Sequence, residues 1–204
     1  MGTDLSISHI RQLFCFDDNN KIKYYANQVE KRNFSKRQLE DIIKSHEYER
    51  LPESTKNKLI KQGESNIIDF VKNPIMIRNT QNYEIISEKI LKKLILENIE
   101  FFMKELGNSF CFIGSEYKIK LDKTFNYIDL LLFNIEYNCY VVIELKITEL
   151  KKEYIGQIQV YMNYIDKNLK KINQDKTIEI IICKQDKVYL TKRHHIKKQR
   201  ICFI

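Results

Sequence analysis

The sequence predicts a mixed α/β protein: a small all-helical N-terminal domain, then an α-β-β-β-α-β unit in which helices flank a mixed sheet. Three observations predict it. Residues 5–50 carry caps and apolar spacing of helical type. Between residues 110 and 147 three strand-like runs follow one another closely enough to be hairpin partners. A helical stretch then separates the third run from a fourth, which is the connection a parallel pair requires.

The elements follow in order. Ser6 caps a first helix to about Phe14, and Asp17 and Asp18 open a second to about Lys31. Ser35 with Gln38 forms a capping box for a third, Lys36 to about Arg50. Leu39, Ile42, Ile43, His46 and Tyr48 give it a broad apolar side, and Pro52 stops it. A weaker helical or irregular stretch runs from Glu53 to Asn73. Polar residues cluster at Arg78–Asn82, so the domains are expected at 1–80 and 81–204.

A long helix is predicted from about Tyr83 to Leu106, with Leu91, Leu94, Ile95, Phe102 and Leu106 along its stripe and Gly107 as its C-cap. Strands are predicted at Phe110–Lys120, Phe125–Glu136 and Cys139–Ile147, with a tight turn at Asn134–Asn138. A helix over Glu149–Lys167 and a buried strand over Thr177–Cys183 come next. Val188–Leu190 and Ile201–Ile204 are short strand candidates around the basic segment Lys192–Arg200, which reads as solvated or as a phosphate-backbone contact.

Composition narrows the function classes. At 204 residues and 43% hydrophobic the chain can build a core, and 5 Gly with 2 Pro argue against long flexible linkers. No apolar run approaches membrane-spanning length, and no basic flank precedes an apolar core at the start, so neither a membrane span nor a secretory signal is expected. The five cysteines are widely spaced with no Cys-x-x-Cys, which fits reduced thiols in a cytoplasmic protein. A net charge of +8 favours an anionic partner, nucleic acid first and an anionic membrane surface second. A Lys-rich composition, in a chain also rich in Ile and Asn, accounts for the charge equally well.

Chemistry concentrates in the third strand, Tyr140-Val141-Val142-Ile143-Glu144-Leu145-Lys146. Alternation puts Glu144 and Lys146 on one face, and burying either charge is costly unless it is paired, metal-bound or facing a cleft. The preceding strand carries one acid, Asp129. Strands lie about 5 Å apart, so the two carboxylates can share one ion. Phosphodiester hydrolysis needs such a group: Asp129 and Glu144 as Mg²⁺ ligands, the Leu145 carbonyl as a third oxygen, and Lys146 to hold or deprotonate water or to stabilise phosphorane charge. The alternative is an edge strand with a solvent-facing Glu–Lys pair. Gln157 and Tyr161, four apart on the next helix, either orient water and phosphate or form an ordinary half-buried helix face.

Asp129, Glu144-Leu145-Lys146 and Gln157-x-x-x-Tyr161 together resemble the PD-(D/E)XK nuclease superfamily. The closer resemblance is to its YhcG-like branch. It is carried by Glu105-Leu106-Gly107, Phe110-Cys111-Phe112-Ile113-Gly114, Tyr127-Ile128-Asp129-Leu130-Leu131, Val142-Ile143-Glu144-Leu145-Lys146, Tyr154-Ile155-Gly156-Gln157 and Ile181-Ile182-Cys183-Lys184. The helical region adds Leu5-Ser6-Ile7-Ser8-His9-Ile10-Arg11, Phe34-Ser35-Lys36-Arg37-Gln38-Leu39 and Tyr48-Glu49-Arg50. Three features depart from the family: further helices usually lie upstream, Ser115-Glu116 stands where an Arg-Gln pair is expected, and the tail from Lys192 differs.

The resemblance implies a restriction-endonuclease-like fold and a Mg²⁺-dependent DNA endonuclease, with Mn²⁺ as a substitute, acting in DNA processing or defence. Superfamily members place an acid on the first core helix; Glu88 is the candidate ligand here. The N-terminal helices, with Arg11, Lys36, Arg37 and Arg50, are expected to bind DNA, a second copy or a partner subunit. The rival readings are a catalytically silent DNA-binding subunit and a module that does not bind nucleic acid.

Overall fold

The computed structural model describes residues 5–61, 71–72, 74–107, 109–148, 151–183 and 198–203. The chain forms two compact units, Met1–Lys72 and Asn73–Ile204. The division falls a few residues before the polar cluster Arg78–Asn82, because the intervening Ile75–Ile77 is a strand of the second unit's sheet.

The first unit is helical. α1 (Ile7–Leu13) starts at a reciprocal cap in which Ser6 accepts the His9 N–H and the His9 ring accepts the Ser6 N–H. Asp18 caps α2 (Asn19–Arg32), which stops at Asn33 in the left-handed region, φ 50°. α3 (Lys36–Lys44) has the expected Ser35/Gln38 box but ends six residues before the predicted Arg50. His46, at φ 52°, turns the chain there, and the turn buries Glu47 and Tyr48. The Tyr24 hydroxyl donates to Glu47 at 2.8 Å, and the Tyr48 N–H donates to the Tyr25 hydroxyl at 3.3 Å. Satisfying those buried polar groups outweighs two more turns of helix. α4 (Glu53–Lys61) follows. Leu13, Tyr24, Tyr25, Val29, Leu39, Tyr48 and Leu51 make the core.

The second unit is the mixed α/β fold expected. β1 (Ile75–Ile77) precedes α5 (Glu88–Glu97) and α6 (Ile99–Leu106), which together replace the single helix predicted over Tyr83–Leu106. Ser87 caps α5. Asn98, at φ −125° and ψ 40°, breaks the run and begins α6. Glu105 is structural: it accepts the Met76 N–H at 3.0 Å and ties α6 to β1.

β2 (Phe110–Leu121), β3 (Thr124–Asn134) and β4 (Cys139–Lys146) form an antiparallel meander. β3 stops at Asn134, whose side chain accepts the Tyr137 N–H at 3.0 Å and closes the turn. α7 (Lys152–Asn168) crosses over to β5 (Ile178–Cys183), which runs parallel to β4. The link is fixed by Asp166, which accepts from both the N–H and the hydroxyl of Thr177. β6 (Lys198–Phe203) pairs in parallel with β5 and β1, so the sheet order is β1-β6-β5-β4-β3-β2. The predicted strand Val188–Leu190 and most of the basic segment, 192–197, lie outside the described residues. Among the described residues no helix is long and apolar enough to cross a membrane.

Ile119, Ile128, Leu131, Val142 and Ile181 pack with Ile158, Tyr161 and Ile165 of α7. A fully buried Ile or Leu side chain contributes about 1.5–3 kcal/mol. Within this sheet Glu179 sits beside Val142 and is 5% exposed. Burial pushes its carboxyl from 4.5 up to about 7. The folded state therefore holds this proton more tightly than the unfolded chain, and its stabilising contribution is lost as pH rises through about 7. Urea denaturation at pH 5 and pH 8 should show the wild type losing stability with pH, and Glu179→Gln should flatten that part of the slope. An unchanged slope in the variant would assign it to another group.

Candidate active site

β3 and β4 pair from Asn134↔Cys139 as far as Leu130↔Ile143, and the ladder ends there. One further step in the same register sets Asp129 opposite Glu144. A side chain takes over from the backbone at this point: the Leu145 N–H donates to Asp129 Oδ2 at 3.0 Å. The N–H and C=O of one strand residue leave on the same side, so the Leu145 carbonyl lies along the same edge. On its other side β4 stays paired with β5 through Lys146↔Cys183. The C-terminal end of β4 is thus held on one edge and open on the other, and crevices of open α/β sheets form at such strand ends.

The charges around this opening interlock. Lys146 Nζ lies 2.9 Å from Glu144 Oε1 and 3.6 Å from Glu88 Oε2, with the Tyr154 ring centroid 5.1 Å away. Lys92 Nζ lies 2.7 Å from Asp129 Oδ1 and 3.2 Å from Glu116 Oε1. Glu116 falls between the pairs Ser115↔Leu130 and Tyr117↔Ile128, which places it across from Asp129, with φ 48°. Four carboxylates face two ammonium groups, a local excess of two negative charges.

Burial and that excess shift the protonation equilibria. Burial pushes the Glu144 carboxyl up, the bonded Lys146 pulls it back in part, and Asp129 and Glu88 push it up again. Burial works against the charged form of Lys146, but Glu144, with Glu88 and Asp129, carries it above its ordinary value, so it is an ammonium. Lys92 is likewise held above its ordinary value, Asp129 and then Glu116 outweighing burial.

The donor set fits a hard divalent cation. Glu144 is 4% exposed, and its Oε2 is buried with no hydrogen-bond partner among the described residues. A carboxylate oxygen left so costs free energy unless something completes its coordination. Among the described residues no three His, Cys, Asp or Glu side chains converge as a ready metal cage. Mg²⁺ does not require one, since it binds through one or two carboxylates and keeps waters and phosphate oxygens for its remaining positions.

Of the residues singled out from sequence, the structure joins Asp129, Glu144, Lys146 and Glu88 in one network, with Leu145 bonded to it through its backbone. Gln157 and Tyr161 form a separate pair: the Gln157 amide donates to the Tyr161 hydroxyl at 2.5 Å, and Tyr161 is otherwise in the core. Among the described residues no hydrogen bond or ion pair links that pair to the carboxylates. Lys92, Glu116 and Tyr154 were missed by sequence reasoning. A signal for Lys92 exists, since Glu88 and Lys92 are four apart and so share one side of α5. Beside them an open groove of about 440 Å³ is lined by Lys89, Lys92, Lys93, Ser115 and Glu116, among others.

Residues 68–200 match the family described as YhcG PDDEXK nuclease domain. The chain is 25% identical over 166 residues to a curated protein of Escherichia coli (strain K12) named "Putative nuclease YhcG", covering 78% of this chain and 44% of that protein. The chain therefore spans less than half the length of the curated relative it matches. A crystal structure of a repair endonuclease from Pyrococcus abyssi aligns with a TM-score of 0.40 and 18% identity, over 58% of this chain and 48% of that one.

Proposed function

Because the chain belongs to the YhcG PDDEXK nuclease domain family, we propose that it is a Mg²⁺-dependent deoxyribonuclease, an endonuclease acting in DNA processing or defence. The observation that carries the reading is the buried Glu144 Oε2, without a hydrogen-bond partner among the described residues, beside Asp129 and Lys146 at the open end of β4. Asp129, Glu144 Oε2 and the Leu145 carbonyl would hold the metal, with Glu88 at the rim. When bound, Mg²⁺ supplies charge neutralisation at the phosphate and a more acidic water. Mn²⁺ would take its place with the same ligands.

The chain's own groups do the rest. Lys146, an ammonium while Glu144, Glu88 and Asp129 face it, would act as a donor to the attacking water or to a phosphate oxygen. Tyr154 and Glu88 fix where that ammonium points. Gln157 and Tyr161 hold each other on α7, away from direct contact with the carboxylates. Gln157→Ala should therefore lower the cleavage rate by no more than about tenfold, against far larger losses at the carboxylates. No effect at all would remove Gln157 from the site. The helical unit would serve as a DNA- or partner-binding module, through which two copies or a partner subunit assemble.

Lys92 sits where a cation would approach Asp129. Lys92→Ala should tighten Mn²⁺ binding in titration calorimetry, while Lys93→Ala, on the same helix but paired to Tyr83 and Glu97, should not. Equal effects would mean that only the general charge matters. The same Lys92–Asp129 contact favours a second reading, a silent DNA-binding subunit whose carboxylates are permanently neutralised by lysine.

The deciding test is cleavage of labelled linear, circular and branched DNA with Mg²⁺ or Mn²⁺, beside an EDTA control and the Lys146→Ala protein. Metal-dependent cutting that the variant lacks supports the nuclease. Salt-sensitive binding without cutting supports the silent subunit.

A further inference from the structure

The outer face of the β2–β3 hairpin carries a row of groups that the carboxylate site does not use. Lys118 pairs with Tyr127 across the hairpin, and Lys120 with Phe125. Ile119 and Ile128 are fully buried in the core with α7. Alternation therefore puts Lys118, Lys120, Phe125 and Tyr127 on the opposite face. There Phe125 is 56% and Tyr127 54% exposed, and both lysines are exposed. The Lys118 ammonium lies 3.9 Å from the Phe125 ring centroid. Asp129 stands two residues beyond Tyr127 on β3, so the row ends about 7 Å along the strand from the site.

We infer that this face is a stacking platform for the unpaired bases of a DNA strand that enters the carboxylate site. Which phosphate is cut rests on the nuclease reading; the binding itself does not. Exposed rings interleaved with lysines are how proteins hold single strands, the rings against base faces and the ammonium groups along the phosphates. Spacing selects an unpaired strand. Successive rows on one face of a strand are about 7 Å apart, whereas successive nucleotides of a duplex strand rise only about 3.4 Å. Bases inside a duplex also have both faces covered by their neighbours.

A second copy of the chain is a poorer occupant. A two-fold contact on this face would bring its own lysines together, and two rings offer far less than the roughly 800 Å² per partner of a standard interface. The substrate class that follows is DNA with a single-stranded segment beside the cut: an overhang, a flap or a gap.

The test uses the full chain in EDTA, so that nothing is cut, with a fluorescein-labelled single-stranded oligonucleotide and a blunt duplex. Phe125→Ala/Tyr127→Ala should weaken single-strand binding by about 10- to 100-fold and leave blunt duplex within about twofold. Lys118→Ala/Lys120→Ala should reduce the salt slope by about one to two. Phe125→Trp should keep wild-type affinity, and its fluorescence should be quenched by the single strand; the chain has no other Trp, so the signal is unambiguous. Wild-type single-strand affinity in the double alanine variant, or an unquenched Trp, would overturn the platform. So would a sedimenting dimer that the double variant abolishes. Cleavage in Mg²⁺ separates the two readings. Ring-dependent binding without cutting keeps the platform and removes the nuclease. Cutting and binding that ignore the rings keep the nuclease and remove the platform.

Discussion

Asp129→Asn and Glu144→Gln are each expected to abolish metal-dependent cleavage, by about 10³-fold or more, while the protein stays folded. Both changes keep shape and remove charge. In Asp129→Asn the amide oxygen still accepts the Leu145 N–H, so the β3–β4 junction survives. What goes is the anionic oxygen now facing Lys92. In Glu144→Gln a carboxylate that burial already pushes towards neutrality becomes neutral outright. Its removal relieves desolvation, so the melting temperature should not fall. Single-turnover rates with saturating Mg²⁺, beside calorimetric melts, test both halves. Wild-type rates in either variant would sink the assignment of these two carboxylates.

Lys146→Met should lose about 10²- to 10⁴-fold in turnover, and unlike the carboxylate variants it should also lose stability. Lys146 is the near neighbour that neutralises Glu144, and both side chains are largely buried. Without it, burial and the Asp129 and Glu88 charges act unopposed on Glu144, and its carboxyl moves further above its ordinary value. A group whose folded value is raised contributes stability at low pH and loses it as pH rises through that value. The variant should therefore be more destabilised at pH 8 than at pH 5, and Mn²⁺ should recover part of the loss by binding the orphaned carboxylates. Melts at the two pH values, with and without Mn²⁺, measure this. A pH-independent loss that Mn²⁺ does not touch would make Lys146 a packing residue.

The centre of the site is legible in the sequence because charges inside apolar strands are costly and therefore conspicuous. Asp129 stands alone in Tyr127–Phe133, and Glu144 and Lys146 end a β-branched run. The period of two put Glu144 and Lys146 on one face, and the register sets Asp129 opposite Glu144. Lys92 and Glu116 are not conspicuous. In a chain with 35 Lys and Arg, one more lysine on a helix carries no signal, and its contact with Asp129 arises only from how α5 lies over the strand ends.

Fold shows the same division. Element types, the cap at Ser6, the capping box at Ser35, the β2–β3–β4 meander and the crossover helix α7 follow from local periodicity, turn chemistry and the geometry of connections. These are properties of residues near in sequence. Where α3 ends, where the long helix breaks at Asn98, and that Ile75–Ile77 joins Lys198–Phe203 at the sheet edge were decided by tertiary structure. Each depends on a buried group finding its partner across many residues: Glu47 with Tyr24, Glu105 with Met76, β1 with β6. Local propensities of a few tenths of a kcal/mol per residue yield to such pairings, because a buried polar group left unpaired costs about 1–3 kcal/mol.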